Sequence, residues 1–184
     1  FTALGNDVEG QNCLIRLKKL GLNISVAWRD CPTRKGISMI DPKGERAITV
    51  VGDRLQPSSE DELPWIELDK YDGVFVTATD SNALIHCRKA NVMVASPRLG
   101  MNTFQGKNIR LDALIGSELD PDENLSENAI NPLPRVRIAT KGSLGGEVLP
   151  GGHFNAVQLN CQVVDSYGCG DSFAAGVTTG LSAG

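Results

Sequence analysis

The sequence predicts an α/β protein built on a mostly parallel β-sheet sandwiched by helices, with a small β hairpin in addition. Short apolar segments alternate with helical segments, which is the pattern of parallel strands joined by helices. The turn Asp41-Pro42-Lys43-Gly44 separates two apolar segments and predicts a hairpin within residues 28–51. The strands of the sheet are expected at residues 72–79, 92–95, 111–115 and 136–140.

Helices are predicted before and between these strands. In residues 7–20, leucines recur at helical spacing, and Gly21 follows as a stop signal. Residues 82–89 also have helical character. Residues 58–62 place two serines before three acidic residues, which is typical of a helix start. The helical segments therefore alternate with the strands, as the fold class requires.

The composition is that of a globular protein with a core of its own. Of the 184 residues, 41% are hydrophobic and 22% are charged, and the net charge is −4. Nucleic-acid binding needs a basic surface, so we expect no nucleic-acid partner. We also expect no membrane partner, because no apolar segment approaches the roughly 18 residues of a membrane span. The five cysteines include no C-x-x-C pair, which argues against a zinc site and favours a cytoplasmic location.

The segment 163–176 carries the features that point to chemistry. Gly168 and Gly170 allow backbone N–H groups to approach a ligand, and a helix is predicted to begin at about Gly170. The first turn of a helix leaves N–H groups unpaired and carries partial positive charge, so this turn predicts a site for a phosphoryl group. The carboxylate of Asp171 has two interpretations here. It is either an N-cap of the helix, which spacing alone favours, or a general base.

The same turn resembles a motif of the PfkB/ribokinase family of carbohydrate kinases. Residues 165–173, Asp-Ser-Tyr-Gly-Cys-Gly-Asp-Ser-Phe, are similar to the family pattern D-T-x-G-A-G-D-x-F. Three weaker similarities lie upstream in the family's order, so the resemblance extends over nearly the whole chain. They are Leu4–Gly10 with V-G-D-D-x-x-G, Asp41–Arg46 with D-x-x-G-E-R, and Ala139–Gly145 with T-x-G-x-x-G.

This resemblance implies a ribokinase-like fold and an ATP-dependent kinase. The γ-phosphoryl group would pass to a hydroxyl of a sugar or related small molecule, with Asp171 as the general base in contact with the substrate. The implied cofactors are ATP and Mg²⁺, with a monovalent cation as a further expectation. The implied partners are a sugar or nucleoside substrate and a second copy of the chain in a homodimer. The implied anion hole is formed by Gly168, Cys169 and Gly170, and the implied ATP-binding residues are Thr140, Lys141, Gly142 and Gly145.

The resemblance also bears on the extent of the chain. We expect residues 1–184 to form a single partial kinase domain, in which the hairpin within 28–51 belongs to the lid. Family members begin with a strand and substrate-binding residues that have no counterpart after Phe1. Further C-terminal helices are expected beyond Gly184.

Three positions depart from the family pattern or have more than one interpretation. Where the family has N-x-x-E, the chain has Ser117-Glu118-Leu119-Asp120, so we expect Ser117 and Asp120 to arrange the metal indirectly; an ordinary turn with an acidic cap is the alternative. Asp80 follows a strand and either touches the substrate or caps the next helix. Cys169 replaces an alanine, and we expect a small buried residue in preference to a redox-sensitive thiol.

Two other functions compete with the kinase. A catalytically degenerate protein that binds nucleotide or sugar as a sensor is the alternative, and it is motivated by the S-x-x-D sequence. A dinucleotide-binding dehydrogenase is disfavoured, because no G-x-G-x-x-G follows an early strand.

Overall fold

The structure is a computed structural model that describes residues 1–41, 46–123, 130–161, 163 and 165–184. The chain divides into two compact units, Phe1–Pro64 and Trp65–Gly184. The expectation of a single partial domain stays a prediction. Within the described ranges, no helix combines the length and the apolar composition that crossing a membrane requires.

The first unit contains a pair of parallel strands, a helix and a hairpin. β1 (Thr2–Gly5) pairs in parallel with β2 (Val26–Arg29), and α1 (Val8–Lys19) connects them. β3 (Lys35–Ile40) and β4 (Arg46–Val51) form an antiparallel hairpin. The predicted helix and hairpin are therefore confirmed, whereas residues 42–44 of the predicted turn lie outside the described residues.

The hairpin leaves many large apolar side chains exposed within its own unit. The resemblance implies a homodimer, to which this hairpin would contribute, and that homodimer stays a prediction. The exposed side chains are Ile37, Met39, Ile40, Ile48, Val50 and Val51.

The prediction of a helix start at residues 58–62 is wrong. The carboxylate of Asp61 accepts two hydrogen bonds from the guanidinium of Arg29, both 2.7 Å long. It also accepts a 2.6 Å bond from the backbone N–H of Ser58, which closes a turn. The acid that suggested a helix start is thus committed to a tertiary ion pair, because that pair satisfies the carboxylate more fully than a helix terminus would.

The second unit is a six-stranded, mostly parallel sheet in the order β10-β9-β8-β7-β6-β5. The first four strands along the chain, β5 to β8, are parallel to one another. The last two, β9 and β10, form an antiparallel extension at one edge. The strand expected at 111–115 begins two residues later than predicted. The strands are β5 (Gly73–Val76), β6 (Val92–Ala95), β7 (Ala113–Ser117), β8 (Val136–Thr140), β9 (Gly146–Leu149) and β10 (Gly152–Phe154).

Short helices follow several of these strands, and one long helix completes the unit. α2 (Ala83–Cys87) follows β5, and α3 (Met101–Phe104) follows β6. α4 (Cys169–Ala183) packs against β5, β6 and β7. Its Ala174 is 3% exposed and lies in a buried cluster with side chains of three strands. The strand residues of this cluster are Val94, Ala113, Ile115 and Ile138.

The direction of α4 relative to the strands follows from one close approach. A Cβ atom on Gly73, the first residue of β5, would lie 2.2 Å from the Oγ of Ser182 and 3.1 Å from the Cγ2 of Thr178. The C-terminal turns of α4 therefore lie at the amino end of β5, and the helix runs antiparallel to the strands. Its N-terminus consequently points to the edge at which the parallel strands end.

Candidate active site

The loops that carry the predicted site residues converge at the carboxyl edge of the sheet in the second unit. The four parallel strands all end at this edge, where open α/β sheets bind their ligands. The antiparallel α4 brings Asp171 to the same edge. The other segments found there are Thr77–Asn82, Ser96–Leu99, Ser117–Asp120 and Thr140–Gly145.

The N-terminus of α4 is an open turn of backbone amides. Gly168 has φ 80° and ψ 0°, a left-handed conformation that favours glycine, and it is the N-cap. The N–H of Cys169 donates to the carbonyl of Ser166 over 3.3 Å. The N–H groups of Gly170 and Asp171 donate to no residue that the structure describes. A Cβ on Gly170 would meet no heavy atom within 4 Å outside its own part of the helix, so no other part of the described chain covers this side of the turn.

The carboxylate of Asp171 lies at the surface beside this turn. Asp171 is exposed and is the third residue of α4, two positions beyond its first residue Cys169. It is therefore not the N-cap that spacing alone favours, since Gly168 occupies that position. Its side chain makes no hydrogen bond or ion pair with the described part of the chain. A carboxylate in this position is available to a ligand that occupies the turn.

The prediction that Cys169 is a small buried residue is wrong. Its side chain is exposed instead of buried. The reason is geometric: the first turn of α4 precedes the residues that pack against the sheet, of which Ala174 is the first to be fully buried.

The turn after β7 is closed by its own side chains. The backbone N–H of Ser117 donates to the Oε2 of Glu123 over 2.8 Å, and the Oγ of Ser117 accepts from the N–H of Leu119 over 3.2 Å. The Oδ1 of Asp120 accepts from the N–H of Asp122 over 3.0 Å. The two residues expected to arrange a metal, Ser117 and Asp120, thus lie three positions apart in one structured turn.

An arginine from the neighbouring loop binds this turn. Arg98 follows β6 and donates from its Nη2 to the Oδ2 of Asp120 over 2.6 Å, and from its Nε to the Oε1 of Glu123. Burial acts to lower the pKa of this guanidinium, but the hydrogen bond with Glu123 and the charges of Asp120 and Asp171 raise it above its usual value. The charge of Asp171 therefore acts on the same guanidinium that holds the turn.

The loop after β8 lies directly beside that turn. Thr140 pairs with Ser117 in the sheet register, and its Oγ1 donates to the carbonyl of Gly116 over 3.3 Å. The Nζ of Lys141 is 3.2 Å from the Oε2 of Glu118 and 3.0 Å from the Oε1 of Glu147. These two carboxylates raise the pKa of the lysine. Lys141 thus holds the loop to the turn by ion pairs.

The two glycines of this loop have different surroundings. Gly142 has φ 59°, and a Cβ there would lie 3.2 Å from the Cδ1 of Leu119. Gly145 has φ 88°, and a Cβ there would lie 2.0 Å from the carbonyl oxygen of Phe154. Gly145 is therefore required by the packing of the loop, whatever it contributes to ATP binding.

Asp80 lies at the same edge and makes capping contacts with the start of α2. Its Oδ1 accepts from the N–H of Asn82 over 2.7 Å and from the N–H of Ala83 over 3.0 Å. These bonds are the capping alternative that the sequence left open. A contact between Asp80 and a substrate stays a prediction.

The charged residues that tie the loops together were not predicted from the sequence. Arg98 lies shortly after the end of the buried strand β6, behind the pair Ser96-Pro97. Asp80 lies shortly after the end of β5 in the same way, and that position was the reason to consider it. The same rule about strand ends would therefore have found Arg98. Glu123 and Glu147 carry no comparable signal, because their partners are set by the tertiary structure.

Comparisons with known proteins identify the fold. Neither the protein-family models nor the curated proteins include a match to this chain. Among solved structures, the chain is similar to a ribokinase from Thermotoga maritima, with 19% identity and a TM-score of 0.68 over 99% of this chain and 67% of that one. It is also similar to an adenosine kinase from Sinorhizobium meliloti, with 15% identity and a TM-score of 0.71 over 100% of this chain and 65% of that one.

A third similar structure is a nucleoside kinase from Burkholderia thailandensis in complex with inosine. The identity is 19% and the TM-score 0.62, over 97% of this chain and 64% of that one. The chain thus spans about two thirds of the length of these kinases. The shared architecture confirms the fold that the sequence predicted, and the chain has the ribokinase-like α/β fold.

Proposed function

We propose that the whole protein is an ATP-dependent kinase that transfers the γ-phosphoryl group to a hydroxyl of a sugar or nucleoside. The observation that carries this proposal is the turn at the start of α4, where two N–H groups that donate to no described residue lie beside the exposed carboxylate of Asp171. The similar solved structures include a ribokinase, a nucleoside kinase and an adenosine kinase, which supports a phosphoryl acceptor of this class.

In this proposal the anion hole is formed by the turn of Gly168, Cys169 and Gly170. Backbone N–H groups at a helix start bind anions because they are unpaired and lie at the positive end of the helix dipole. The fit is supported by the open surroundings of Gly170, where a Cβ would meet no heavy atom within 4 Å outside its own part of the helix. The turn would bind and orient that group, and the dipole would stabilise negative charge that develops on it.

Asp171 is proposed as the general base. An exposed carboxylate without a partner in the described chain can accept a proton from an attacking hydroxyl. Its position beside the amides would align that hydroxyl with the phosphoryl group, and alignment is the main requirement of phosphoryl transfer.

The loop after β8 is the proposed place of ATP. Thr140 and Gly142 would line it directly, whereas Lys141 would act by holding the loop to Glu118 and Glu147. When bound with ATP, Mg²⁺ would neutralise phosphate charge. Ser117 and Asp120 would order water around this ion from the adjacent turn. Arg98 already fixes the carboxylate of Asp120 in that turn. A monovalent cation, a homodimer and a cytoplasmic location stay predictions.

The base is tested by Asp171→Asn in the whole protein. We expect the turnover of ATP with the accepted sugar or nucleoside to fall by about 10²–10⁴, the usual contribution of a general base. The thermal unfolding curve should stay close to that of the wild type, because Asp171 is exposed and its side chain makes no hydrogen bond or ion pair with the described chain. The matched control is Asp69→Asn. Asp69 is an exposed acid in the short 3-10 helix Trp65–Lys70, distant in sequence from Asp171. If Asp171→Asn turned over at the same rate as Asp69→Asn, Asp171 would be ruled out as the general base.

The sensor function makes a different prediction in the same experiment. A sensor would bind ATP or a sugar in calorimetry, and wild type and Asp171→Asn alike would release no ADP. The observation in its favour is the sequence S-x-x-D at residues 117–120, where the resemblance implies N-x-x-E. ADP release by the wild type in the presence of an acceptor decides for the kinase.

A further inference from the structure

The turn after β7 places a concentration of negative charge at the proposed ATP site. Residues 118–123 include four acids, and the bound nucleotide would itself be an anion. Unpaired carboxylates at this position would repel the phosphates or capture a divalent cation on their own. The acids are Glu118, Asp120, Asp122 and Glu123.

Two cations from neighbouring loops pair with three of these four acids. Lys141 binds Glu118 over 3.2 Å, and Arg98 binds Asp120 and Glu123. Arg98 contacts its two carboxylates with different nitrogen atoms, which only the forked guanidinium can do in a fixed geometry. The carboxylate of Glu123 is 12% exposed and its second oxygen accepts from the N–H of Ser117. The guanidinium is thereby connected to the first residue of the turn.

We propose that Arg98 is a positioning residue that converts the turn after β7 from an acidic, cation-capturing segment into a neutralised support for Mg·ATP. This inference rests on the proposed kinase function. Arg98 acts through Asp120 and Glu123 and needs no contact with the reacting atoms. Its second effect is to hold Ser117 in place, because the chain Arg98–Glu123–Ser117 N–H fixes the backbone where β7 ends.

The main test is Arg98→Gln in the whole protein, with the affinity for Mg·ATP and kcat measured separately. We expect the KM for Mg·ATP to rise by about tenfold or more, because charge-assisted bonds are lost and two carboxylates are released. The fall in kcat should be smaller, since the anion turn and Asp171 are untouched. Calorimetry of Mg·ATP binding should show the same loss of affinity.

A second readout uses no nucleotide. Mn²⁺ alone is titrated against the nucleotide-free protein, and binding is followed by electron paramagnetic resonance. Wild type should bind weakly at this site, whereas Arg98→Gln should gain a site from the released carboxylates of Asp120 and Glu123. A purely structural role for Arg98 predicts no such gain.

Second variants keep the test independent of folding. Arg98→Lys retains the charge but not the fork, so its KM should lie between those of wild type and Arg98→Gln. Adding Glu123→Gln to Arg98→Gln removes part of the released charge but keeps an oxygen that can accept from the N–H of Ser117, so it should lower the KM again and abolish the gained Mn²⁺ site. The control is Arg135→Gln, an exposed arginine at the opposite edge of the same sheet, which should leave both readouts unchanged.

The outcomes separate this inference from the proposed function. If Asp171→Asn retains turnover, the kinase assignment fails, while the Mn²⁺ titration still tests the neutralisation by Arg98. If Asp171→Asn is inactive but Arg98→Gln has the wild-type KM and gains no Mn²⁺ site, the role of Arg98 is refuted and the kinase stands. A double variant no better than Arg98→Gln alone would also overturn the inference.

Discussion

The carboxylate of Asp7 joins three parts of the first unit. It is the N-cap of α1 and accepts from the N–H of Gly10 over 2.8 Å. It also accepts from the N–H of Thr33 over 2.8 Å and from its Oγ1 over 2.6 Å. The same hydroxyl accepts from the N–H of Gly5 over 3.1 Å. One side chain thus fixes the end of β1, the start of α1 and the approach to the hairpin.

These bonds make the stability of the first unit depend on acid pH. The hydrogen bonds from the Thr33 side chain, from Gly10 and from the Thr33 backbone lower the pKa of Asp7 from 3.8 to about 2. Its stabilisation is therefore complete above pH 4 and is lost as the pH falls through 2. We expect Asp7→Asn to lower the free energy of unfolding at pH 7. The difference in this free energy between wild type and Asp7→Asn should become smaller as the pH falls from 4 to 2. Chemical denaturation across this range checks it.

The control for this prediction is Glu9→Gln, in the first turn of the same helix. Glu9 pairs with Lys35 at the surface over 2.5 Å, so its contribution should be small and screened by salt. A constant difference between wild type and Asp7→Asn over the whole pH range would contradict the role of Asp7.

At the scale of elements, an ion pair holds α2 to the amino edge of the sheet. Arg88, the C-cap of α2, donates to the Oδ2 of Asp112 over 2.6 Å and to the carbonyls of Ala90 and Asn91. The same Oδ2 accepts from the N–H of Met93 in β6 over 2.8 Å. Although burial raises the pKa of Asp112, these bonds and the nearby cations lower it overall. Asp112 therefore ties a helix end to two adjacent strands.

Removing this carboxylate should loosen the second unit. Asp112→Ala leaves the guanidinium of Arg88 and the N–H of Met93 without their acceptor, and Asp112 is only 13% exposed. We expect the free energy of unfolding to fall by about 2–3 kcal/mol, the range for a partly buried polar network that loses one member. Urea denaturation measures this effect.

The matched control is Asp72→Ala, an exposed acid just before β5. It should change the free energy of unfolding by less than about 0.5 kcal/mol, as is usual for a surface substitution. Equal losses from the two variants would mean that the network around Asp112 contributes nothing specific.

The sequence predicts elements well where the signal is local and poorly where partners are distant. α1 and the β3–β4 hairpin were predictable because helical spacing, a stop glycine and turn residues lie within each segment. Residues 58–62 carry an equally good helix signal, yet Asp61 pairs with Arg29, 32 positions away. No local pattern contains that partner, so the prediction failed there.

The candidate site shows the same division. Asp171 and the glycine turn were found because a contiguous motif of nine residues encodes them. The charged ties between loops were not, because Arg98 meets Glu123 from 25 positions away and only the sheet brings them together. The sequence therefore predicted the glycine turn at the start of α4 but not the residues that support its neighbours.

At the scale of the whole molecule, the proposed site depends on the parallel sheet and on the direction of α4. Parallel strands place the ends of β6, β7 and β8 at one edge, and the antiparallel α4 adds its N-terminus to that edge. The chain spans about two thirds of the length of the kinases it resembles. The activity of the whole protein is therefore a proposal that rests on this edge.

The central claim, that the start of α4 binds a transferring phosphoryl group, is tested most directly by Gly170→Val beside Gly176→Val. A Cβ at Gly170 or at Gly176 would meet nothing within 4 Å outside its own part of α4, so neither change should disturb the fold. We predict that Gly170→Val lowers the rate of phosphoryl transfer by about 10²–10³, because its side chain would keep the phosphoryl group from the amides, and the effect would resemble the loss of an anion-hole donor. Gly176→Val should keep the wild-type rate. Equal rates for the two variants would contradict the claim.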